Sequence, residues 1–320
     1  MHKVAPLGKR LGKRTASTGG AWHPGMMLSS ASWRRAWHPL GKHVRKRECG
    51  GGATFQDVSN HPSWRLIIDG SLPGAHNMAR DVAILEVVSE GVSPPTLRLY
   101  GWDPPCLTIG RHQGVEAADF DFCRREGIDV VRRPTGGRAL LHHLELTYAV
   151  AAPLGTGPLP RGLQDAYRLI CGALVQAMRD LGVHAELTGG DVNLQFPGPR
   201  STVPCFEAPA GGEVVVGGRK LIGSAMRSHG GAILQHGAIL LDWDGRLQAG
   251  SMGLEDDASL RPRITTLRGE LAHEVPRTAL EATLVEAFSS ALGVGLEAGQ
   301  PSDGEQMREE ELIDSFNVGG

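Results

Sequence analysis

Two arginines precede a Gly-Gly pair by a Pro-Thr step and a third follows it directly, in Arg132-Arg133-Pro134-Thr135-Gly136-Gly137-Arg138. Glycine lets backbone N–H groups come close to a ligand, and arginine supplies a rigid fork of donors. A loop of that composition can hold an anionic or carbonyl-bearing ligand against the main chain. By itself such a turn reads first as a surface hairpin with solvated charges. A second island lies downstream. It runs Pro204-Cys205-Phe206-Glu207-Ala208-Pro209, then Gly218-Arg219-Lys220-Leu221-Ile222-Gly223-Ser224-Ala225, then Leu234-Gln235-His236-Gly237. Cys205 follows a proline and falls outside any apolar periodic run. Cys106, Cys123 and Cys171 read instead as small, inert core residues. A lysine ammonium near a thiol favours the thiolate, lowering a reference pKa of about 8.5 toward neutrality, so Lys220 is a candidate partner for Cys205.

Together the two islands resemble the lipoate–biotin protein ligase superfamily, and within it the octanoyltransferase branch called LipM. The matching residues are Arg132 to Ala139, Leu141-His142, Glu145-Leu146-Thr147-Tyr148, Cys205 to Pro209, Gly218-Arg219-Lys220, Gly223-Ser224-Ala225, Leu234 to Gly237 and Ile239 to Asp242. The resemblance implies that Cys205 is the nucleophile and Lys220 its catalytic partner. It implies that the Gly136-Gly137 backbone donates to the acyl carbonyl as it becomes an oxyanion. Thr135 and Arg138 would shape that loop, and Arg132, Arg133, Gly223 and Ser224 would complete the substrate site. His142 and His236 match motif positions. Each reads either as a site residue or as a satisfied structural histidine.

The implied reaction moves an octanoyl group from acyl carrier protein to a lysine of a lipoyl-carrier protein, such as the H protein of glycine cleavage. It passes through a cysteine thioester and needs no metal or nucleotide. Two rivals share the fold: an ATP-dependent lipoate–protein ligase, and a paralogue that binds acyl or carrier groups without turnover. In ligase relatives a lysine at the Lys220 position contacts the activated acyl phosphate, so Lys220 alone does not choose the branch. The chain departs from the LipM pattern at His143, Met226, Ala238 and Gly211-Gly212, which bear on the acceptor surface and pocket wall more than on the reaction. An eight-carbon chain needs an apolar tunnel, worth about 0.8 kcal/mol per buried methylene. Leu140, Leu141, Ile222 and Ala225 are its candidates by position.

Charge is distributed unevenly. The first 50 residues hold eleven Lys/Arg against one acid, Glu48, although the whole chain has 33 basic and 35 acidic residues. The remainder is therefore acidic, which argues against nucleic-acid binding by the folded part. Five cysteines without a Cys-x-x-Cys pair argue against a disulfide framework or zinc site and fit a reducing cytoplasm. No apolar run approaches the roughly 20 residues of a membrane helix. No P-loop is present, since Gly218 occupies the position its lysine would take after Gly212 to Gly217.

In residues 1–60 acids and apolar periodicity are nearly absent, and the segment reads as a disordered basic extension or as sequence upstream of a later true start. Residues 61–275 are expected to form the catalytic domain, and 276–320 a helical segment packed on it. Strands are expected at 65–69, 96–100, 106–110, 129–132, near 192–194, and at 213–216, 220–222 and 232–241. A single strand over 140–150 should run back antiparallel to 129–132. Helices are expected at 74–88, 119–126, 164–181 and 280–292, with a short one after Ser302. Without regular βαβ units this predicts an α+β fold, with a mixed, largely antiparallel sheet flanked by helices.

Overall fold

Several strands expected from the sequence are apolar on both sides, so both faces of the sheet need cover. In the computed structural model, which describes residues 62–190 and 212–318, helices supply it. The basic extension, the strand expected near Val192 and Cys205 all lie outside the described residues. The chain order is β1 (Ser63–Leu72), α1 (Gly74–Ser89), β2 (Thr96–Trp102), β3 (Cys106–Ile109), α2 (Phe120–Glu126), β4 (Asp129–Arg132), β5 (Leu140–His142), β6 (Glu145–Pro153), α3 (Leu163–Asp180) and β7 (Glu186–Leu187). It continues with β8 (Val214–Val216), β9 (Arg219–His229), β10 (Ala232–Leu240), α4 (Gly245–Ser251), α5 (Leu267–Leu271), α6 (Arg277–Leu292), β11 (Gly295–Ala298) and α7 (Asp303–Phe316).

The larger sheet runs β11-β1-β2-β6-β10-β9-β8-β7, and the smaller β4-β3-β5. Among the described strands only β1 with its two neighbours, and β3 with β4, pair parallel. The fold is thus α+β with a mixed, largely antiparallel sheet, as the pattern predicts. One face of the large sheet packs Leu97, Leu99, Leu146, Tyr148, Val150, Ile222, Ile233 and Ile239 against Ile170, Leu174, Leu284 and Phe288 of α3 and α6. Each such side chain contributes about 1.5–3 kcal/mol on burial. The other face lies under α1, where Ile84 and Val88 meet Ile67 and Ala151. Helix α7 closes over α1. Its first turn is held by a Ser302–Glu305 capping box, and the same Glu305 pairs with Arg65 of β1.

Two expectations need correction. The strand expected over 140–150 is two strands in different sheets. It breaks at His143-Leu144, where Leu144 takes φ 26° and its carbonyl accepts from the Leu241 and Asp242 amides. Period-two alternation continues through the break, so the pattern alone cannot show it. Nor does β5 pair with β4, because β3 lies between them. The strand expected at 220–222 runs on to His229. Gly223-Ser224-Ala225 has weak strand propensity, but pairing with β10 overrides it. A Cβ on Gly237 of β10 would stand 2.4 Å from the Gly223 carbonyl oxygen, so the two strands approach closely only because Gly237 has none.

Candidate active site

Strand β4 delivers Arg132 and Arg133 to the Gly-Gly loop. Arg133 is buried and turns inward, and its guanidinium becomes the frame of the loop. Its Nε and Nη2 donate to the Gly136 carbonyl at 3.0 and 2.8 Å, Nη2 donates to the Arg138 carbonyl at 2.7 Å, and Nη1 reaches Thr108 on β3. Arg132 donates to the carbonyls of Gly110 and Gln113 at 2.9 and 2.6 Å. Both arginines are therefore engaged with main chain and are not free solvated charges. Gly137 sits at φ 95°, and a Cβ there would lie 2.5 Å from Arg133 Nη2. A Cβ on Gly110 would lie 1.9 Å from the Gly137 carbonyl oxygen. Gly110→Ala is accordingly expected to cost about 1–3 kcal/mol by overpacking and to spoil the loop. Thermal melts alongside acyl-transfer assays check this, and a wild-type melting temperature with wild-type turnover would contradict it.

The loop is tied to the second island. The Thr135 hydroxyl lies 2.7 Å from His236 Nε2, joining residues 101 positions apart. His236 Nδ1 lies 3.0 Å from Asp81 Oδ2 of α1. A carboxylate accepts, so Nδ1 carries the proton and the bare Nε2 accepts from Thr135. Asp81, 1% exposed, also accepts from Arg98 at 2.7 Å and from the Tyr100 hydroxyl at 2.8 Å. Burial would raise the Asp81 carboxyl, but the Arg98 guanidinium and the His236 hydrogen bond outweigh it and hold the group below its ordinary range. Burial dominates at His236 and pushes its imidazole below the usual value despite Asp81, so the ring is neutral at pH 7.

His142 occupies a parallel arrangement. Its ring stacks on Trp102 at 4.1 Å between centroids, Nδ1 meets Glu145 at 2.7 Å, and Nε2 meets the Thr108 hydroxyl at 3.0 Å. Trp102 in turn donates to Thr147, which donates to Glu145. Thr108 also receives Arg133, so His142 braces the same loop from the other side.

Strand alternation separates Gly223 from Ser224. Ser224 faces α3, bonded to Tyr148 at 2.7 Å, with its carbonyl accepting from Tyr167. Gly223 faces the side of His236, and a Cβ there would lie 3.1 Å from Lys220 Cε. Lys220, 3% exposed, thus reaches the sheet face that carries His236, and its ammonium lies 2.5 Å from Glu213 Oε1. The structure brings Thr135, the Gly136-Gly137 loop and His236 together, with Lys220 on the same face beyond Ala225 and Gly223. Of the tunnel candidates, Leu140 packs with Ala238 and Ile264 on this face, and Ala225 lies beside His236. Leu141 points into the cluster around Leu107 and Ile109, and Ile222 into the core under α3, so these two do not line one wall with Leu140.

Asp81, Arg98, Tyr100 and Glu213 escape sequence reading. Arg98 and Tyr100 alternate with leucines, which reads as a solvent-facing edge until α1 is known to cover it. Asp81 alone left a signal, as an acid within an apolar helix face. Cys106, Cys123 and Cys171 are free and buried, and burial pushes the Cys123 thiol up to about 11 and the Cys171 thiol up to about 12. Among the described residues no group of three His, Cys, Asp or Glu side chains is placed to hold a metal ion, and no helix is long and apolar enough to cross a membrane.

The family model described as the lipoyl protein ligase A/B catalytic domain matches residues 73–289, more than half of the chain, and the chain belongs to that family. It is 39% identical over 262 residues to octanoyltransferase LipM of Symbiobacterium thermophilum, covering 79% of this chain and 95% of the relative. It is 46% identical over 188 residues to octanoyltransferase LipM of Geobacillus kaustophilus, covering 58% and 67%. With these relatives it is an acyltransferase. In fold it is similar to a lipoate-protein ligase A solved with ATP, at TM-score 0.65, 24% identity and coverage of 79% and 94%. A lipoate protein ligase from T. acidophilum with bound lipoic acid gives TM-score 0.63 at 23% identity, covering 79% and 95%.

Proposed function

We propose that the protein is a cytoplasmic octanoyltransferase of protein lipoylation, taking octanoyl from the phosphopantetheine thioester of acyl carrier protein and placing it on a lysine of a lipoyl-carrier protein such as the glycine cleavage H protein. The observation that carries this reading is 39% identity to an octanoyltransferase LipM across 95% of its length. Cys205 is the nucleophile. Its thiolate attacks the thioester carbonyl carbon, the carbon–sulfur bond to pantetheine breaks, and the pantetheine thiol leaves with a proton. The acceptor amine then attacks the enzyme thioester. A carbon–nitrogen bond forms, the Cys205 carbon–sulfur bond breaks, and the thiol is regenerated. Lys220 favours the Cys205 thiolate. The Gly136 and Gly137 amides, with Thr135 and Arg138 shaping the loop, stabilise the oxyanion of each tetrahedral intermediate. His236 and His142 hold that loop, Arg132 and Arg133 stiffen it, and Gly223 with Ser224 forms the strand beneath the acyl group.

This reading is supported by three thiols that burial makes poor nucleophiles, Cys106, Cys123 and Cys171. It is tested by incubating the protein with octanoyl acyl carrier protein and apo H protein, with and without ATP. Octanoylated H protein should form without ATP, because the donor thioester is already activated. Transfer seen only with free octanoate or lipoate and ATP would move the protein to the ligase branch. No transfer to any lipoyl carrier under either condition would leave a non-catalytic binding paralogue.

A further inference from the structure

Glu213 stands at the entrance of β8, and its main chain is locked before the side chain is considered. Its amide donates to the Thr188 hydroxyl at 2.9 Å, and its carbonyl accepts from the Thr188 amide at 2.9 Å. From that fixed base its carboxylate reaches Lys220, with Nζ 2.5 Å from Oε1. Lys220 is fixed as well. Its carbonyl accepts from the Thr265 amide at 2.9 Å, and its side chain lies over Gly223, which leaves the room it occupies. Glu213 is 7% exposed and Lys220 3%.

As a stabilising device this pair is poor. Two charges have been taken out of water, and among the described residues Glu213 Oε2 is buried with no hydrogen-bond partner. Such a pair is commonly no more stable than well-packed apolar residues of similar volume. What it supplies is charge and geometry. A lysine this deeply buried gives up its proton unless an anion compensates it. A neutral lysine would do little for a neighbouring thiolate.

We propose that Glu213 is a positioning residue for acyl transfer, holding the Lys220 ammonium charged and fixed above Gly223. The inference rests on the reading of Lys220 as the partner of Cys205. Among the described residues, Glu213 is the anion seen paired with Lys220. From α3, Tyr167 and Cys171 lie within electrostatic reach of Glu213, and burial keeps both protonated. Arg219, next along β9, is paired with Glu270 of α5 at 2.8 Å. Arg263, before Thr265, is exposed, and His236 on β10 is neutral.

The test is the pH profile of enzyme acylation by octanoyl acyl carrier protein without acceptor. It compares wild type, Glu213→Gln, Glu213→Asp, Lys220→Ala and the double variant Glu213→Gln/Lys220→Ala, each checked for folding by circular dichroism. Glu213→Gln should acylate roughly tenfold more slowly near pH 8, with its alkaline limb displaced downward by about one pH unit, because Lys220 loses its proton earlier. Glu213→Asp should lose rate but keep the wild-type limb, since the charge remains one methylene farther away. The double variant should be no slower than Lys220→Ala, because Glu213 acts through that lysine. A purely structural role would lower the whole profile without moving the limb, and that result overturns the inference. If Lys220→Ala is slow and Glu213→Gln keeps the wild-type profile, the inference fails while the reading of Lys220 stands. If Lys220→Ala acylates like wild type, the reading of Lys220 itself fails. Should Glu213→Gln not fold, Glu213→Asp made in wild type and in Lys220→Ala decides: slower acylation in the first background with none in the second supports the proposal, and an equal loss in both, or no loss in either, overturns it.

Discussion

Cys205→Ser is expected to lower octanoyl transfer by at least about a thousandfold while the protein stays folded, because a hydroxyl at pH 7 is a far weaker nucleophile than a thiolate favoured by Lys220. Wild-type protein mixed with octanoyl acyl carrier protein and no acceptor should gain one octanoyl mass. That mass should be labile to hydroxylamine and lie on the peptide bearing Cys205. Lys220→Ala should slow the same acylation and displace its acidic limb to higher pH, toward the reference thiol value of about 8.5. The alternatives within the fold are few. Cys106 lies against Gly74 and is buried, with its thiol pushed well above the ordinary range by burial and by the Asp129 charge. Cys171 accepts from Gln235 under α3. An octanoyl mass on either residue, or transfer persisting in Cys205→Ser, would remove the nucleophile assignment and require direct transfer between donor and acceptor.

How much of this could be read from the chain depended on whether the cause was local. Helix α1 announces itself by Met78, Val82, Leu85 and Val88 at helical spacing, α3 by its apolar face, and α6 by its stop at Gly293, which takes φ 61°. The Gly-Gly loop stood out as a candidate site only through its resemblance to a family motif, since its composition alone reads as a surface hairpin. The use of its arginines was not legible, because whether Arg133 points to a ligand or back to the Gly136 carbonyl depends on β3 lying alongside. Helices α4 and α5 are short and give no periodic window, and β7 and β11 are edge strands of two and four residues. The break at Leu144 is invisible for a different reason. Leu140 and Leu141 are buried against separate clusters, so alternation persists although the strand changes sheets. The Asp81–His236–Thr135 connection is the least legible feature of all. It joins a helix, a strand and a loop far apart in sequence, and nothing local to Asp81, Thr135 or His236 tells that the three meet.

That connection carries the second large effect. Asp81→Ala removes the acceptor shared by Arg98, Tyr100 and His236, leaving a buried guanidinium with only Asp69 to pair it. Breaking a buried charge network of this kind costs about 3–5 kcal/mol, a shift in melting temperature on the order of 10 °C for a domain of this size. The pH dependence identifies the groups. His236 is held below its ordinary value of 6.5, so the unfolded chain binds the proton more readily than the folded one. Its contribution is fully present above pH 6.5 and is lost as the pH falls through the depressed folded value. Asp81 is held below its ordinary 3.8, so its contribution is present above that value and is lost only at still lower pH. Acidification should therefore weaken the wild type in two stages. His236→Gln should flatten the first stage, and denaturant titrations of both proteins at pH 7.5 and 5.5 measure this. Equal losses in the two proteins would mean that His236 is not held neutral. The same variant frees the Thr135 hydroxyl, so acylation of the enzyme should slow even at pH 7.5, where the titration contributes nothing. Unchanged acylation there would confine His236 to stability and leave the loop held by Arg133 and His142.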